Sequence, residues 1–253
     1  MVFNNAGTVR KSGGTGTTTF QAVINNLGTF DIQQGTINLT GPTFSNAINS
    51  VVQGSGTLNR SQTVFTTDGL FSPGDPLGVL QVIGDLPQTS NSAINIQIGG
   101  RNPGVDYDQL VITGTASLNG TLNILRVNGF QPVGGDAFEI IKYASHSGFF
   151  DSISGLNLGG GFYLEPTFSS TNLILTVVDT RPRPRFSVPH RLPNGDIDFT
   201  LTGIAGQTFV IQATTNFLIW DPVLTNVNAG AVFDLIIIDS KVRPYRFYRT
   251  IQQ

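Results

Sequence analysis

Short runs of alternating apolar and polar residues dominate the chain. Phe30-Asp31-Ile32 and Thr36-Ile37-Asn38-Leu39 alternate with the period of a strand, as do Ile94-Asn95-Ile96-Gln97-Ile98, Leu118 to Leu122 and Leu173 to Val177. Gly-Thr, Asn-Gly and Ser-Gly pairs punctuate these runs and predict turns. Nowhere do apolar residues recur at the i, i+3, i+4, i+7 spacing of a helix over a useful length. The segment from Asp136 to Ser145 comes nearest, and its Phe138, Ile140, Ile141 and Tyr143 fit a strand equally well.

The runs also repeat. Asn4-Asn5-Ala6-Gly7-Thr8-Val9 returns 21 residues later as Asn25-Asn26-Leu27-Gly28-Thr29-Phe30. Gly35-Thr36-Ile37-Asn38-Leu39 returns at the same offset of 21 as Gly56-Thr57-Leu58-Asn59, with a further copy at Gly120-Thr121-Leu122-Asn123. Two unrelated motifs sharing one period predict stacked coils. The expected fold class is therefore all-β: a right-handed parallel β-helix, or β-solenoid, over residues 1–179. Inward Val, Ile, Leu and Phe would stack from coil to coil, and Thr, Asn, Gln and Ser would face water. A large antiparallel sandwich is the competing architecture, since it would show similar alternation.

The texture changes at Thr180-Arg181-Pro182-Arg183-Pro184-Arg185. Alternating proline and arginine predict an extended linker over 180–185. Beyond it, Asp196 to Leu201, Thr208 to Thr214, Trp220 to Leu224, Val232 to Ile238 and Tyr245 to Thr250 read as five strands. Their spacing predicts a small antiparallel β-sandwich over 186–253.

Composition narrows the partners. Charged residues are 12% of the chain, about half the usual ~25%, which suits stacked strands because identical charges one strand apart would repel. The net charge of −2 argues against nucleic acid as a partner. Residues 1–180 hold six basic and eleven acidic side chains, and residues 181–253 hold eight and five, so an acidic body precedes a basic module. The absence of cysteine excludes disulfides, thiolate zinc sites and a cysteine nucleophile. No apolar run approaches the roughly 18 residues of a membrane helix. Met1-Val2-Phe3-Asn4-Asn5 has no signal-peptide character, and a mature chain or a fragment is the expected explanation.

From Phe71-Ser72-Pro73-Gly74-Asp75-Pro76-Leu77-Gly78-Val79-Leu80 the chain runs through Gln81-Val82-Ile83-Gly84 to Tyr107-Asp108-Gln109-Leu110-Val111-Ile112-Thr113-Gly114 and Leu118-Asn119-Gly120-Thr121-Leu122. Gly129-Phe130, Phe138-Glu139-Ile140-Ile141 and Gly148-Phe149-Phe150 follow. This order resembles the autotransporter-type passenger repeats of large secreted bacterial surface proteins, over roughly residues 20–178. The resemblance implies a right-handed parallel β-helix, export, and a surface or adhesive role. No membrane-barrel sequence of the autotransporter kind follows. Ala205-Gly206-Gln207-Thr208-Phe209-Val210-Ile211-Gln212-Ala213, Asn216 to Trp220 and Tyr245-Arg246-Phe247-Tyr248-Arg249 resemble a C-terminal β module of secreted repeat proteins, which implies no enzymatic activity.

Candidate chemistry is sparse. Asp68 with Asp75, or Asp106 with Asp108, would be the carboxylate pair of a β-helix polysaccharide enzyme; otherwise they are solvated turn residues. His146 with Asp151 and a serine would be needed for a triad, without a Gly-x-Ser-x-Gly elbow. His190, the only other histidine, follows Pro189 near the linker. Asn194-Gly195-Asp196-Ile197-Asp198 opens like a calcium loop but lacks its glycine and glutamate, with Phe199 and Ala205 in their places. Thr17 and Thr19 would begin a threonine array, yet a 21-residue shift carries Thr17 to Asn38. Trp220, Tyr245 and Tyr248 would make a sugar-stacking platform, and Gly159-Gly160-Gly161 lacks the Lys-Ser/Thr of a phosphate loop. No catalytic residue, metal or cofactor is expected.

The expected function is a non-enzymatic extracellular structural or adhesive protein, a surface fibre or sheath subunit. A carbohydrate-binding module and a polysaccharide-degrading enzyme are the alternatives. The expected partner is a second copy, joined head to tail at an assembly edge of Val2, Phe3 and Val9, with surface polysaccharide as a further partner. The small module is expected to cover the other end.

Overall fold

The computed structural model describes residues 1–253 except Ser61, Gln62, Asp75, Pro182, Gly195, Ile204, 228–231, 238–246 and Gln253. No helix occurs among the described residues. The chain divides into two compact units, Met1–Asp179 and Thr180–Gln253.

The first unit winds as successive coils. The first coil contains β1 (Val2–Asn5), β2 (Thr8–Lys11) and β3 (Thr17–Phe20). The second holds β4 (Val23–Asn26), β5 (Thr29–Ile32) and β6 (Thr36–Leu39), and the third β7 (Thr43–Asn46), β8 (Val51–Gly54) and β9 (Thr57–Asn59). The fourth holds β10 (Val64–Thr67), β11 (Leu70–Pro73) and β12 (Val79–Ile83). The fifth holds β13 (Leu86–Pro87), β14 (Ala93–Ile98) and β15 (Gln109–Ile112), and the sixth β16 (Thr115–Leu118), β17 (Thr121–Arg126) and β18 (Ala137–Lys142). Corresponding strands stack in parallel. Sheet A is β1-β4-β7-β10 and sheet C runs β3-β6-β9-β12-β15-β18. Sheet B is β2-β5-β8-β11-β14-β17 and ends on β20 (Ser152–Ser154). Sheet D is β13-β16 with β19 (Ser145–Gly148), and a parallel bridge between Thr67 and Gln88 links it to sheet A.

The repeat motif Asn-Asn-x-Gly-Thr has a physical reason at each position. Val2 pairs with Val23 and Asn5 with Asn26, so the motif returns in register. The first asparagine faces out, and Asn25 Nδ2 donates to Asn4 Oδ1 at 2.8 Å. The second faces in at the corner between sheets A and B, where it is buried. There Asn5 Nδ2 donates to Asn26 Oδ1 at 2.7 Å and Asn26 Nδ2 to Asn46 Oδ1 at 2.8 Å. Each Asn also fixes its corner: the Gly28 N–H donates to Asn26 Oδ1 at 3.3 Å, and Asn26 Nδ2 donates to the Val51 carbonyl at 3.2 Å. Gly28 is obligatory because a Cβ there would collide with the Gly7 carbonyl oxygen one coil away.

Alternation sends the other inward row to the core. Phe30, Val52, Phe71, Ile94 and Leu122 are fully buried along sheet B, and Ile37 pairs with Leu58 in sheet C as the period requires. An aromatic series crosses the interior from Phe30 to Phe44 (5.3 Å, edge-on) and from Phe44 to Phe65 (4.9 Å, stacked). Each such ring contributes roughly 1.5–3 kcal/mol by leaving water.

Three sequence expectations need correction. The period is not constant: Thr17 pairs with Thr36, Val2 with Val23, Thr57 with Gln81, Val79 with Gln109 and Thr121 with Ser152. Coils lengthen because loops 99–108 and 127–136 are inserted between sheets B and C, which leaves the stacked strands in register. The third Gly-Thr-Leu-Asn copy therefore does not continue the second. Thr57-Leu58-Asn59 lies in sheet C, whereas Thr121-Leu122-Asn123 lies in sheet B over Ala93-Ile94-Asn95. Finally, the segment from Leu173 to Val177 is not a parallel coil. It belongs to β23 (Asn172–Asp179), which pairs antiparallel with β18 and with β22 (Phe162–Phe168); β22 in turn pairs with β21 (Asn157–Gly159). This hairpin buries Leu164, Leu173, Leu175 and Val177 in the same core, so the first unit closes the sheet C side of that end with its own residues.

The second unit has two antiparallel sheets. In one, β26 (Ile197–Thr202) pairs with β24 (Arg185–Phe186), β25 (His190–Arg191) and β29 (Val232–Ile237). In the other, β27 (Thr208–Thr214) lies between β28 (Asp221–Val227) and β30 (Phe247–Gln252). Phe199 and Leu201 of the first sheet and Phe209 and Ile211 of the second form one buried cluster. Arg185, expected in the linker, begins β24.

Candidate functional site

The three described carboxylates among the catalytic candidates, Asp68, Asp106 and Asp108, each take part in holding a loop. Asp108 is fully buried at the end of loop 99–108. Its Oδ1 accepts the Gly78 N–H at 3.0 Å and its Oδ2 the Gln97 N–H at 2.8 Å, which ties three segments together. Burial pushes this carboxyl up to about 7, against the opposing pull of the N–H groups of Gln97 and Gly78. Asp106 orders its own turn by accepting from Asn102 N and Nδ2 at 3.1 and 2.6 Å. Asp68 accepts the Thr89 hydroxyl at 2.6 Å, and its sequence candidate partner Asp75 lies outside the described residues.

His146 points into the solenoid from β19, beside Ala116 of the preceding coil. Its ring lies 5.0 Å from Tyr143, 5.8 Å from Phe149 and 6.1 Å from Phe168, and its buried Nδ1 has no hydrogen-bond partner. That is an aromatic plug beneath the closing hairpin, without the oriented hydrogen bond a general base requires. His190 is exposed on β25 opposite Asp198. Asn194 and Asp196 bond each other, Asn194 Nδ2 to Asp196 Oδ2 at 2.7 Å and Asp196 N to Asn194 Oδ1 at 3.0 Å. They form a turn, and Gly195 lies outside the described residues. Among the described residues no group of three His, Cys, Asp or Glu is placed to hold a metal. Gly159, Gly160 and Gly161 all have positive φ and make the turn between β21 and β22.

The threonine array fails for a different reason than the constant period implied. Thr17, Thr36 and Thr57 do stack in one outward column, which ends at Gln81. The second column needed beside it passes at once from Thr19 to Asn38 and Asn59. In the second unit the two described residues of the proposed aromatic platform, Trp220 and Tyr248, have other neighbours. Tyr248 packs against the buried cluster, Arg249 covers Trp220 at 4.2 Å from the ring centroid, and Tyr245 lies outside the described residues. Sequence reading missed the adjacent tip of Phe217, Leu218 and Ile219, all exposed. Phe217 has φ of 62°, held by its N–H bond to Thr214 Oγ1 at 3.0 Å.

Two features of the solenoid remain as functional surfaces. The first is the edge of the first coil. Phe3 and Val9 lie on inward rows, next to Ile24 and Phe30, and Phe20 packs beside them. Val2 lies on the outward row, so only Phe3 and Val9 of the three edge candidates belong to the interior cross-section. The second is a shallow groove of about 400 Å³ on the outer face of sheet B. Its floor is Val51, Leu70 and Ala93, with Asn95 and Asn123 along one side. Turn residues Ile48, Asn49, Asp68 and Asn91 line the other side. It gathers residues from four coils, and no contiguous motif could have marked it.

No protein-family model matches the chain, and no curated protein matches it. No helix among the described residues is long and apolar enough to cross a membrane.

Proposed function

We propose that the chain is a non-enzymatic structural or adhesive protein of the extracellular surface whose solenoid associates head to tail with further copies. The observation that carries this reading is the state of the strand edges. Sheet B begins at β2 and ends at β20, and among the described residues each pairs with one neighbour only. The face made by sheets A and D likewise begins at β1 and ends at β19. Among the described residues two faces thus present an unpaired parallel edge at each end, and unpaired edges are templates for pairing.

Laying β20 of one copy against β2 of the next continues both rows of sheet B: Ile153 over Val9 inside and Ser152 over Thr8 outside. Such a contact joins two different surfaces and propagates. Charge favours this polarity. The β2 edge carries Lys11 beside Arg10, whose charge is paired with Asp31 of β5 at 2.6 Å, while Asp151 precedes β20, so two β2 edges would bring their Lys11 charges together. The closing hairpin on sheet C leaves the contact to the other two faces.

The non-enzymatic part is supported by the separate structural engagements of Asp68, Asp106 and Asp108 and by the unoriented His146. The extracellular part rests on the motif order that resembles passenger repeats. The finer architecture belongs to the same reading: a right-handed coil, and a sandwich of the two small sheets around Phe199, Leu201, Phe209 and Ile211.

Light scattering and electron microscopy across a concentration series test the proposal. Particles should lengthen with concentration, and Phe3→Lys with Val9→Lys should return the protein to monomer while its strand signal in circular dichroism persists. A monomer at every concentration, or assembly indifferent to both substitutions, would overturn it.

A further inference from the structure

The groove on sheet B has a chemistry that assembly does not use. It crosses β8, β11, β14 and β17, three strand spacings or ~14 Å along the solenoid. All four strands are paired on both sides, so no backbone edge is available within it for an added peptide strand. Recognition there must come from side chains. The floor of Val51, Leu70 and Ala93 is half-buried and apolar. Asp68 is the single charged residue of the lining, and no cation lines the groove to attract an acidic ligand.

The polar groups are held in place with hydrogen-bonding capacity to spare. Asp68 Oδ1 is occupied by Thr89 and, at 3.5 Å, Asn91, while its Oδ2 accepts nothing among the described residues. Asn123 Nδ2 donates to Asn95 Oδ1 at 2.9 Å, and Ser154 Oγ donates to Asn123 Oδ1 at 2.8 Å. This outer ladder fixes both amides, and Asn95 Nδ2 donates to no other described residue. Exposed Asn49, in a left-handed turn at φ 67°, adds a further amide on the opposite wall. A fixed carboxylate acceptor facing fixed amide donors across an apolar strip matches a ligand with alternating hydroxyls and C–H faces and no charge of its own.

We infer that this groove binds a neutral polysaccharide chain lying along the solenoid axis, with hydroxyls on Asp68 and Asn95 and ring C–H groups on Leu70. The inference deepens the adhesive half of the function proposed above and rests on it. Because the groove lies on a sheet face and the assembly contact at strand edges, the two are separable.

The test is native-gel affinity electrophoresis in dextran, mixed-linkage β-glucan and galactomannan, with polygalacturonate as the acidic comparison. At least one neutral polymer should retard the protein, equally at low and high salt, and polygalacturonate should not. Asp68→Ala, Asn95→Ala and Leu70→Glu should each weaken retardation at least tenfold. Should Leu70→Glu fail to fold, the first two substitutions carry the test, with circular dichroism reporting their folding. Light scattering on the same variants should show unchanged assembly. The inference is overturned by no retardation in any neutral polymer, by retardation indifferent to Asp68→Ala and Asn95→Ala, or by stronger binding of polygalacturonate. In each of those cases persistent assembly would leave the structural reading standing.

Discussion

Replacing Asn26 by alanine removes the middle rung of the buried asparagine ladder. Its side chain takes part in four hydrogen bonds: it accepts from Asn5 Nδ2 and the Gly28 N–H, and it donates to Asn46 Oδ1 and the Val51 carbonyl. The site is fully buried, so water cannot replace these partners. At about 1 kcal/mol for each bond lost, and more for partners left without any substitute, the cost is about 4 kcal/mol. That is a large share of the ~5–15 kcal/mol that holds a typical domain. Asn25→Ala removes the neighbouring outward side chain, whose partners Asn4 and Ser45 keep access to water, and should cost under about 0.5 kcal/mol. Urea unfolding followed by far-ultraviolet circular dichroism measures both. The only tryptophan lies in the second unit and would not report on the solenoid. Equal midpoints for Asn25→Ala and Asn26→Ala would refute the assignment of inward and outward rows, and with it the register of the first three coils.

Two further outcomes follow from other positions. Gly28→Ala should lower the urea midpoint of the solenoid well beyond the effect of Gly7→Ala, since a Cβ at Gly7 meets nothing within 4 Å whereas one at Gly28 meets backbone. Asp108 binds its proton more tightly when folded, at about 7, than the ordinary 3.8. Its contribution to stability should therefore be full below about pH 4 and be lost as pH rises from there through 7, and the pH slope over that range should flatten in Asp108→Ala.

Much of the solenoid was legible because its signals are local. The Asn-Asn-x-Gly-Thr unit encodes an outward amide, an inward amide, a close backbone approach and the start of the next strand within five residues. Coil lengthening was not legible, because loops 99–108 and 127–136 change the sequence offset without changing which strands meet. The closing hairpin escaped notice because Leu173 to Val177 alternates in the same way whether its neighbour is parallel or antiparallel. Strand pairing direction is decided by the turn at Ser169 to Asn172 and by β22, not by the alternation itself. The groove was hidden for a related reason: Asn49, Asp68, Asn91 and Asn123 are distant in sequence and meet only when coils stack.

Head-to-tail continuation of sheet B is tested most directly by engineered cysteines, because the chain contains none of its own. Thr8→Cys and Ser152→Cys place thiols on the outward rows of β2 and β20. Stacked copies would bring them about one strand spacing apart, within the ~4.4–6.8 Å separation of Cα atoms that a disulfide bridges. The account predicts that the double variant, mildly oxidised, gives a ladder of dimer, trimer and higher species on non-reducing gels, while either single variant remains monomeric. A dimer formed by Thr8→Cys alone, or no ladder from the double variant at concentrations where particles form, would contradict it.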